Sequence, residues 1–307
     1  MSEPVSAGEP VVVTGGTGFI GSAVCARAVA RGQRPVVLLR EIEMPLAVPD
    51  VENAVVDWTD RAGLADTLRR LAPASIIHCA GASARTGVGP AALYEANVCL
   101  VARLLEAVEA ARPDASVVVL SSAAVYGPDA PTPTDESSPL DPQTEYGISK
   151  VMAETLARAY AAGHGVRTSI ARPFNVLGPG EPAGSVVSAI ADQLLAGPAG
   201  TTVPVSLREV VSVRDFVDVE DAADALLTLG ERGAAGEAYN VCSGAGTTVA
   251  ELLEMATLAW DRTADLTLRE PDAAGSVSIG SCDKLRRLGW APRRTLVDTL
   301  SRMAAGR

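Results

Sequence analysis

The chain has 307 residues, of which 48% are hydrophobic, 21% charged and only 4% aromatic, with a formal net charge of −11. This is the make-up of a globular protein that buries a sizeable core without disulfide or metal staples, and it excludes a disordered chain. The charge is spread evenly, with no Lys/Arg-rich block beyond "KLRR" at 284–287, which points to a small-molecule ligand and away from nucleic acid.

"MSEPVSAGEP" lacks a basic segment followed by an apolar run, and no stretch approaches 18 uninterrupted apolar residues. The expected location is cytoplasmic, with no membrane partner. Five cysteines (Cys25, Cys79, Cys99, Cys242, Cys282) are odd in number, scattered and never spaced C-x-x-C, so they read as packing residues. With only His78 and His164, no His-rich cluster can form and no metal is expected.

In chain order, "PVVVTGGTGFIGSAVCARAVARGQRPVVLLR" reads as a strand, a glycine turn, a helix and a second strand. The alternation continues through "NAVVDW", "LADTLRRL", "ASIIHCAG", "LYEANVCLVARLLEAVEAA" and "SVVVLSS". Such a pattern predicts an α/β fold, a doubly wound parallel sheet covered by helices. Residues 128–143, with five prolines, read as a loop; a helix then runs from near Tyr146 through "MAETLARAYAA", and "VRTSIARPFNV" is the next strand. Beyond Pro173 the alternation weakens into "SVVSAIADQLLAG" and short segments, which predicts a smaller carboxy-terminal lobe.

Gly15, Gly18 and Gly21 lie between the first strand and first helix, the setting in which this spacing predicts dinucleotide binding. Gly15 permits the tight turn, Gly18 the approach of a pyrophosphate and Gly21 close helix packing. At the end of the second strand Leu39 stands where an NAD-binding acid is expected, followed by Arg40, which favours NADP (NADPH) over NAD. Glu41, next to it, is the feature that would reverse this, and a solvated strand-end arginine is the plain alternative. Asp57 is placed either to bind an adenine amino group or to cap the following helix.

"TEYGISK" sets Tyr146 and Lys150 four apart on one helix face. A tyrosine with an ordinary pKa of about 10 needs a nearby cation to act as an acid near neutrality. A hydroxyl at a neighbouring strand end completes the set, and "LSSAAVYG" offers Ser121 and Ser122.

Together "GGTGFIG", "LSSAAVYG", "YGISK", "ARPFN", "RDFVDVEDAADAL" and "YNVCSG" resemble the extended short-chain dehydrogenase/reductase family acting on nucleotide sugars. The resemblance implies a Rossmann domain at 1–172 with a return segment at about 213–243, and a nucleotide-sugar-binding lobe at 173–212 and 244–307. It implies Ser122 as the catalytic hydroxyl, Tyr146 as acid/base and Lys150 on the nicotinamide ribose. It further implies cofactor contacts from Phe19, Ile20, Trp58, His78, Ala80, Gly81, Asn97 and Pro173, and substrate contacts from Ser83, Ser122, Ala123, Asn175, Arg214 and Arg269. Tyr126 and Asn240 read as structural. A homodimer through helices around 97–110 and 146–162 is also implied. For "KLRR" and Arg293–Arg294, a solvated helix face and a diphosphate contact are both open.

Within the family, 4,6-dehydratases carry an Asp-Glu pair where this chain has Ala123 and Ala124, so dehydration is disfavoured. The segments "ARPFNVLGPG" and "VPVSLREVVSVRDFVDVED" and the tail "REPDAAGSVSIGSCDKLRRLGWAP" are similar to GDP-4-keto-6-deoxy-D-mannose reductases. The expected function is NADPH-dependent 4-ketoreduction of a nucleotide-activated 4-keto-6-deoxyhexose. The alternatives are an NAD-dependent 4-epimerase and a non-catalytic NADP-binding regulator.

Overall fold

The computed structural model describes residues 8–40, 48–49, 51–83, 86–112 and 114–305. An unbroken apolar run makes β1 (Pro10–Thr14), buried throughout, and small residues follow in α1 (Phe19–Ala30). β2 (Arg34–Leu39), β3 (Glu52–Val55), α2 (Arg61–Leu71) and β4 (Ser75–His78) continue the expected alternation.

The helix expected through "LYEANVCLVARLLEAVEAA" is interrupted. α3 (Pro90–Tyr94) runs into a π turn at Glu95–Cys99 before α4 (Leu100–Ala111). Such insertions gather at functional sites, and this one carries the buried Asn97. β5 (Ser116–Leu120), α5 (Glu145–Gly163) and β6 (Arg167–Pro173) follow, with α5 opened by the Thr144 hydroxyl accepting from the Gly147 N–H.

The remaining elements are β7 (Asn175–Leu177), α6 (Val186–Leu194), β8 (Thr201–Leu207), β9 (Val213–Asp218), α7 (Val219–Arg232), β10 (Ala238–Val241), β11 (Gly246–Thr248), α8 (Val249–Trp260), β12 (Arg262–Leu268), β13 (Val277–Ser278), α9 (Asp283–Arg286) and α10 (Leu296–Ala305).

Among the described residues, seven parallel strands form the main sheet in the order β10-β6-β5-β4-β1-β2-β3. The order reverses between β1 and β4, and α/β sheets bind ligands outside the strand carboxyl ends at such a switch point. Along these strands alternate residues face opposite helical layers. Val11, Val13 and Ile77 pack against α1 and α7, whereas Val12, Ile76 and Val117 pack against α2, α4 and α5. This explains why the strands read as continuous apolar runs. Around β9, which pairs with β7, β11 and β13, a third apolar cluster with α6, α8 and α10 includes Ile190, Leu252, Trp260 and Leu300.

α7 opens with Asp218 as its cap and carries Glu220, Asp221 and Asp224 in its first two turns. Arg27 of α1 and Arg31 at its carboxyl-terminal cap pair with Asp224 at 3.1 and 2.8 Å. Arg294 pairs with Asp221 at 2.6 Å, and Arg302 of α10 pairs with Asp218; both carboxylates are 1% exposed. Arg294 is therefore committed to α7 rather than to a diphosphate. Lys284 of "KLRR" is likewise taken up, by Glu237 at 2.6 Å and by the ring of Tyr239. Among the described residues no helix is long and apolar enough to cross a membrane.

Candidate active site

The glycine loop ends β1 and starts α1. Gly15 adopts φ +68°, and a Cβ there would stand 2.7 Å from the Ala80 nitrogen, so the turn lies directly against the loop after β4. A Cβ on Gly21 would fall 2.1 Å from the Gly15 carbonyl oxygen, which only hydrogen permits. Gly18 is exposed at the head of α1, where no side chain caps the helix. Phe19 and Ile20, half-buried against the core, thus present their first-turn amides to the opening. An uncapped helix terminus behind a bare glycine fits the diphosphate of a dinucleotide.

Leu39 is buried at the end of β2, and Arg40 is exposed just beyond it. Glu41 lies outside the described residues. The capping role considered for Asp57 belongs to Asp60, whose Oδ1 accepts from the Gly63 N–H at 3.0 Å. Asp57 instead accepts from the Thr59 hydroxyl and N–H at 2.7 and 2.8 Å, hydrogen bonds that hold its pKa below the usual carboxylate range. It remains exposed beyond β3. The Trp58 side chain packs in the core, leaving only its backbone for a ligand.

His78 is buried, with Nδ1 2.8 Å from the Thr14 hydroxyl. Burial, and then the charge on Lys150, push its pKa down to about 3, so the imidazole is neutral. Thr14 Oγ1 in turn accepts from the Ala80 N–H at 3.2 Å. His78 therefore braces the strand end from inside. At the tip, a Cβ on Gly81 would meet Asn97 Oδ1 at 2.6 Å and Lys150 Nζ at 3.7 Å. Asn97 Oδ1 accepts from the Ala82 N–H at 2.8 Å, and its Nδ2 donates to the Ala82 carbonyl and to Ser149 Oγ, both at 3.0 Å. The π turn thereby ties the β4 tip to α5.

On α5, Lys150 Nζ lies 5.7 Å from the centroid of the Tyr146 ring and donates to the Leu120 carbonyl at 2.9 Å. Burial lowers the Lys150 pKa to about 8, opposed by Cys79 and Glu154. Ser122 opens a short 3₁₀ turn at Ala123–Val125, its Oγ accepting from the Ala124 N–H at 3.2 Å. A cleft of about 350 Å³ at these strand ends is lined by Ser122, Ala123, Ala124, Pro173, Asn175 and Arg214, among others.

Residues 11–242 match the model of the NAD dependent epimerase/dehydratase family. The chain belongs to this family. It is an NAD(P)-dependent, nucleotide-sugar-modifying oxidoreductase of the extended short-chain dehydrogenase/reductase type. It is 34% identical over 305 residues to the dTDP-6-deoxy-L-talose 4-dehydrogenase (NAD(P)(+)) of Kitasatospora kifunensis, covering 96% of this chain and 95% of that protein. Identity to the GDP-6-deoxy-D-mannose reductase of Pseudomonas aeruginosa is 31% over 248 residues, covering 79% of this chain and 77% of that one. The crystal structure of the Thermus thermophilus UDP-glucose 4-epimerase in complex with NAD superposes with a TM-score of 0.81 at 27% identity, covering 97% and 98% of the two chains.

In this member of the epimerase/dehydratase family, Asn175 Nδ2 donates to the Asp215 carbonyl at 3.0 Å. The Arg214 guanidinium donates to Ser276 O and Oγ at 2.7 and 2.8 Å, and burial lowers its pKa. Arg269, exposed beyond β12, and Ser83, in the loop after β4, are not among the residues lining the cleft. Sequence reasoning missed Gln143, Thr144, Phe174 and Ser278, which do line it. Phe174 lies inside the "RPFN" motif and Thr144 is the helix cap just before Tyr146, so both had a local signal. Ser278 reaches the cleft because β13 pairs with β9, setting it opposite Arg214, and nothing in its own neighbourhood announces that.

Proposed function

We propose that the protein is a ketoreductase that uses NADPH to reduce the C4 ketone of a nucleotide-activated 4-keto-6-deoxyhexose. The end of β2 carries this reading. A buried Leu39 stands where an acid would select NAD, and an exposed Arg40, without an ion pair among the described residues, is suited to a ribose 2′-phosphate. The names of the Kitasatospora and Pseudomonas relatives, both for 6-deoxyhexose enzymes, support it.

When bound, the nicotinamide supplies a hydride to the sugar C4. The Ser122 hydroxyl hydrogen-bonds the ketone oxygen, and Tyr146 gives that oxygen a proton as negative charge develops on it. Lys150, held by the Leu120 carbonyl, keeps a positive charge beside Tyr146 at neutral pH. Ala123 and Ala124 offer no group to move a proton at C5 or C6. Arg214 provides a cation for the diphosphate, and Asn175 a carbonyl for the sugar. The exposed Ile148 and Met152 on α5, 37% and 44% accessible, support a homodimer through that helix, which light scattering would test.

The test is binding of NADPH and NADH, followed by absorbance at the reduced-nicotinamide band on adding dTDP- and GDP-4-keto-6-deoxyhexoses. NADPH preference with sugar-dependent loss of absorbance is expected. Copurifying NAD, with activity but no net consumption of cofactor, would replace the reductase with a 4-epimerase, the reading that the likeness to the Thermus enzyme favours.

A further inference from the structure

α5 grips two consecutive residues at the end of β5, Leu120 and Ser121, just before Ser122. The Leu120 carbonyl accepts from Lys150 Nζ at 2.9 Å. One helical turn further on, Glu154 Oε1 accepts from the Ser121 hydroxyl at 2.6 Å. Ser122 is extended, with φ −164°, so its side chain points opposite to that of Ser121 and lines the cleft.

Glu154 is fully buried. Arg172 donates to Oε1 from Nε at 2.8 Å and to Oε2 from Nη2 at 2.6 Å, and Arg158 pairs with Oε2 at 3.2 Å. Arg172, itself 1% exposed, also donates to the Tyr126 hydroxyl at 2.8 Å, and that hydroxyl donates to Asn240 Oδ1 at 2.7 Å. The next residue of β6 is Pro173, on the cleft wall. The carboxylate thus stands behind both β5 and β6 without itself lining the cleft.

A buried ion pair is weak evidence for stability, because desolvation offsets much of its attraction. We propose that Glu154, clamped by Arg172, is a positioning residue: it holds the strand end that aims Ser122 and supplies negative charge one helical turn from Lys150. This rests on the reading of Tyr146 and Lys150 as the reacting pair. The other groups that face Lys150 are Tyr146 on its own helix, Asn97 on the π turn, and His78 and Cys79 at the end of β4. Burial holds His78 at a pKa of about 3 and Cys79 at about 12, so both are uncharged from pH 5 to 10. As a thiolate Cys79 would raise the Lys150 pKa more than Glu154 does, but it is protonated over that range, so Glu154, with Arg172 and Arg158 behind it, is the buried anion that acts on the pair.

The experiment compares wild type with Glu154→Gln, Arg158→Ala and Ser121→Ala, measuring the pH dependence of NADPH binding and of kcat/KM for ketone reduction. Removing a negative charge makes protons leave the Tyr146–Lys150 pair more easily, whichever group gives one up first. The alkaline limb of Glu154→Gln should fall by about one pH unit. Arg158→Ala removes a positive charge and should raise the limb, by less, because Arg158 is 40% exposed. Ser121→Ala leaves the field intact and should lower kcat about tenfold with KM and the limb unchanged.

A folded Glu154→Gln with an unmoved limb overturns the proposal. If that variant does not fold, an unmoved or lowered limb in Arg158→Ala does so, and a raised one supports it. The NADPH titration needs no sugar, so a wild type that reduces no 4-keto sugar would sink the proposed function while leaving this test intact.

Discussion

Replacing Asn97 by alanine would cut the tie between the β4 tip and α5. The side chain makes three hydrogen bonds, to the Ala82 N–H, the Ala82 carbonyl and Ser149 Oγ, and is 1% exposed. A net hydrogen bond contributes about 1 kcal/mol, and a buried group left unpaired costs about 1–3 kcal/mol. Ala82 is only half-buried and can recover water, whereas Ser149 is fully buried and keeps its own bond to the Tyr146 carbonyl at 2.7 Å. The sum is about 3 kcal/mol, equivalent to about 5 °C in Tm for a chain of this size. Because Gly81 sits between Asn97 and Lys150, activity should fall with stability. Thermal melts followed by circular dichroism, with kcat measured well below the transition, test both. A loss under about 1 kcal/mol with normal kcat would refute the view that the π turn holds the site together.

Tyr146→Phe should lower turnover by about 10²–10⁴-fold while NADPH binding stays within a factor of about two, as isothermal titration would record. Activity should decline as pH rises through about 8, where Lys150 loses its charge, since burial has lowered rather than raised its pKa. A flat profile to pH 10 would contradict this. Arg40→Ala should weaken NADPH binding about 10–100-fold and leave NADH binding nearly unchanged, consistent with losing one charged contact to a phosphate. Equal loss for both cofactors would mean that Arg40 is not reading the 2′-phosphate.

The strands, α1 and α5 were legible because their signals are local: apolar runs, glycines at a strand–helix junction, and residues one turn apart. The π turn was not, because the apolar pattern of "LYEANVCLVARLL" continues through it and the extra residue alters only the direction of Asn97. The cap of α2 is Asp60, three residues beyond Asp57, an offset that patterning cannot resolve. Arg294 read as an exposed basic residue because its carboxylate partners lie more than seventy positions earlier, on α7. Ser278 and Arg214 share a cleft wall through strand pairing between distant segments, a relation that composition and spacing do not carry. Glu154 and Arg172 looked unremarkable for the same reason: a helix and a strand must first pack before their charges meet.

The acidic start of α7 bears on how the protein is made. Asp218 and Asp221 are interior groups in the folded chain, yet Arg294 and Arg302, which neutralise them, emerge from the ribosome some seventy to eighty residues later. Until then water must serve as their partner, so α7 cannot settle fully against α1, even though Arg27 and Arg31 are already waiting for Asp224. Docking of α7 is thereby coupled to synthesis of the segment from 294 to 302, and a ribosome stalled before residue 294 should hold a nascent chain that proteases cut within α7.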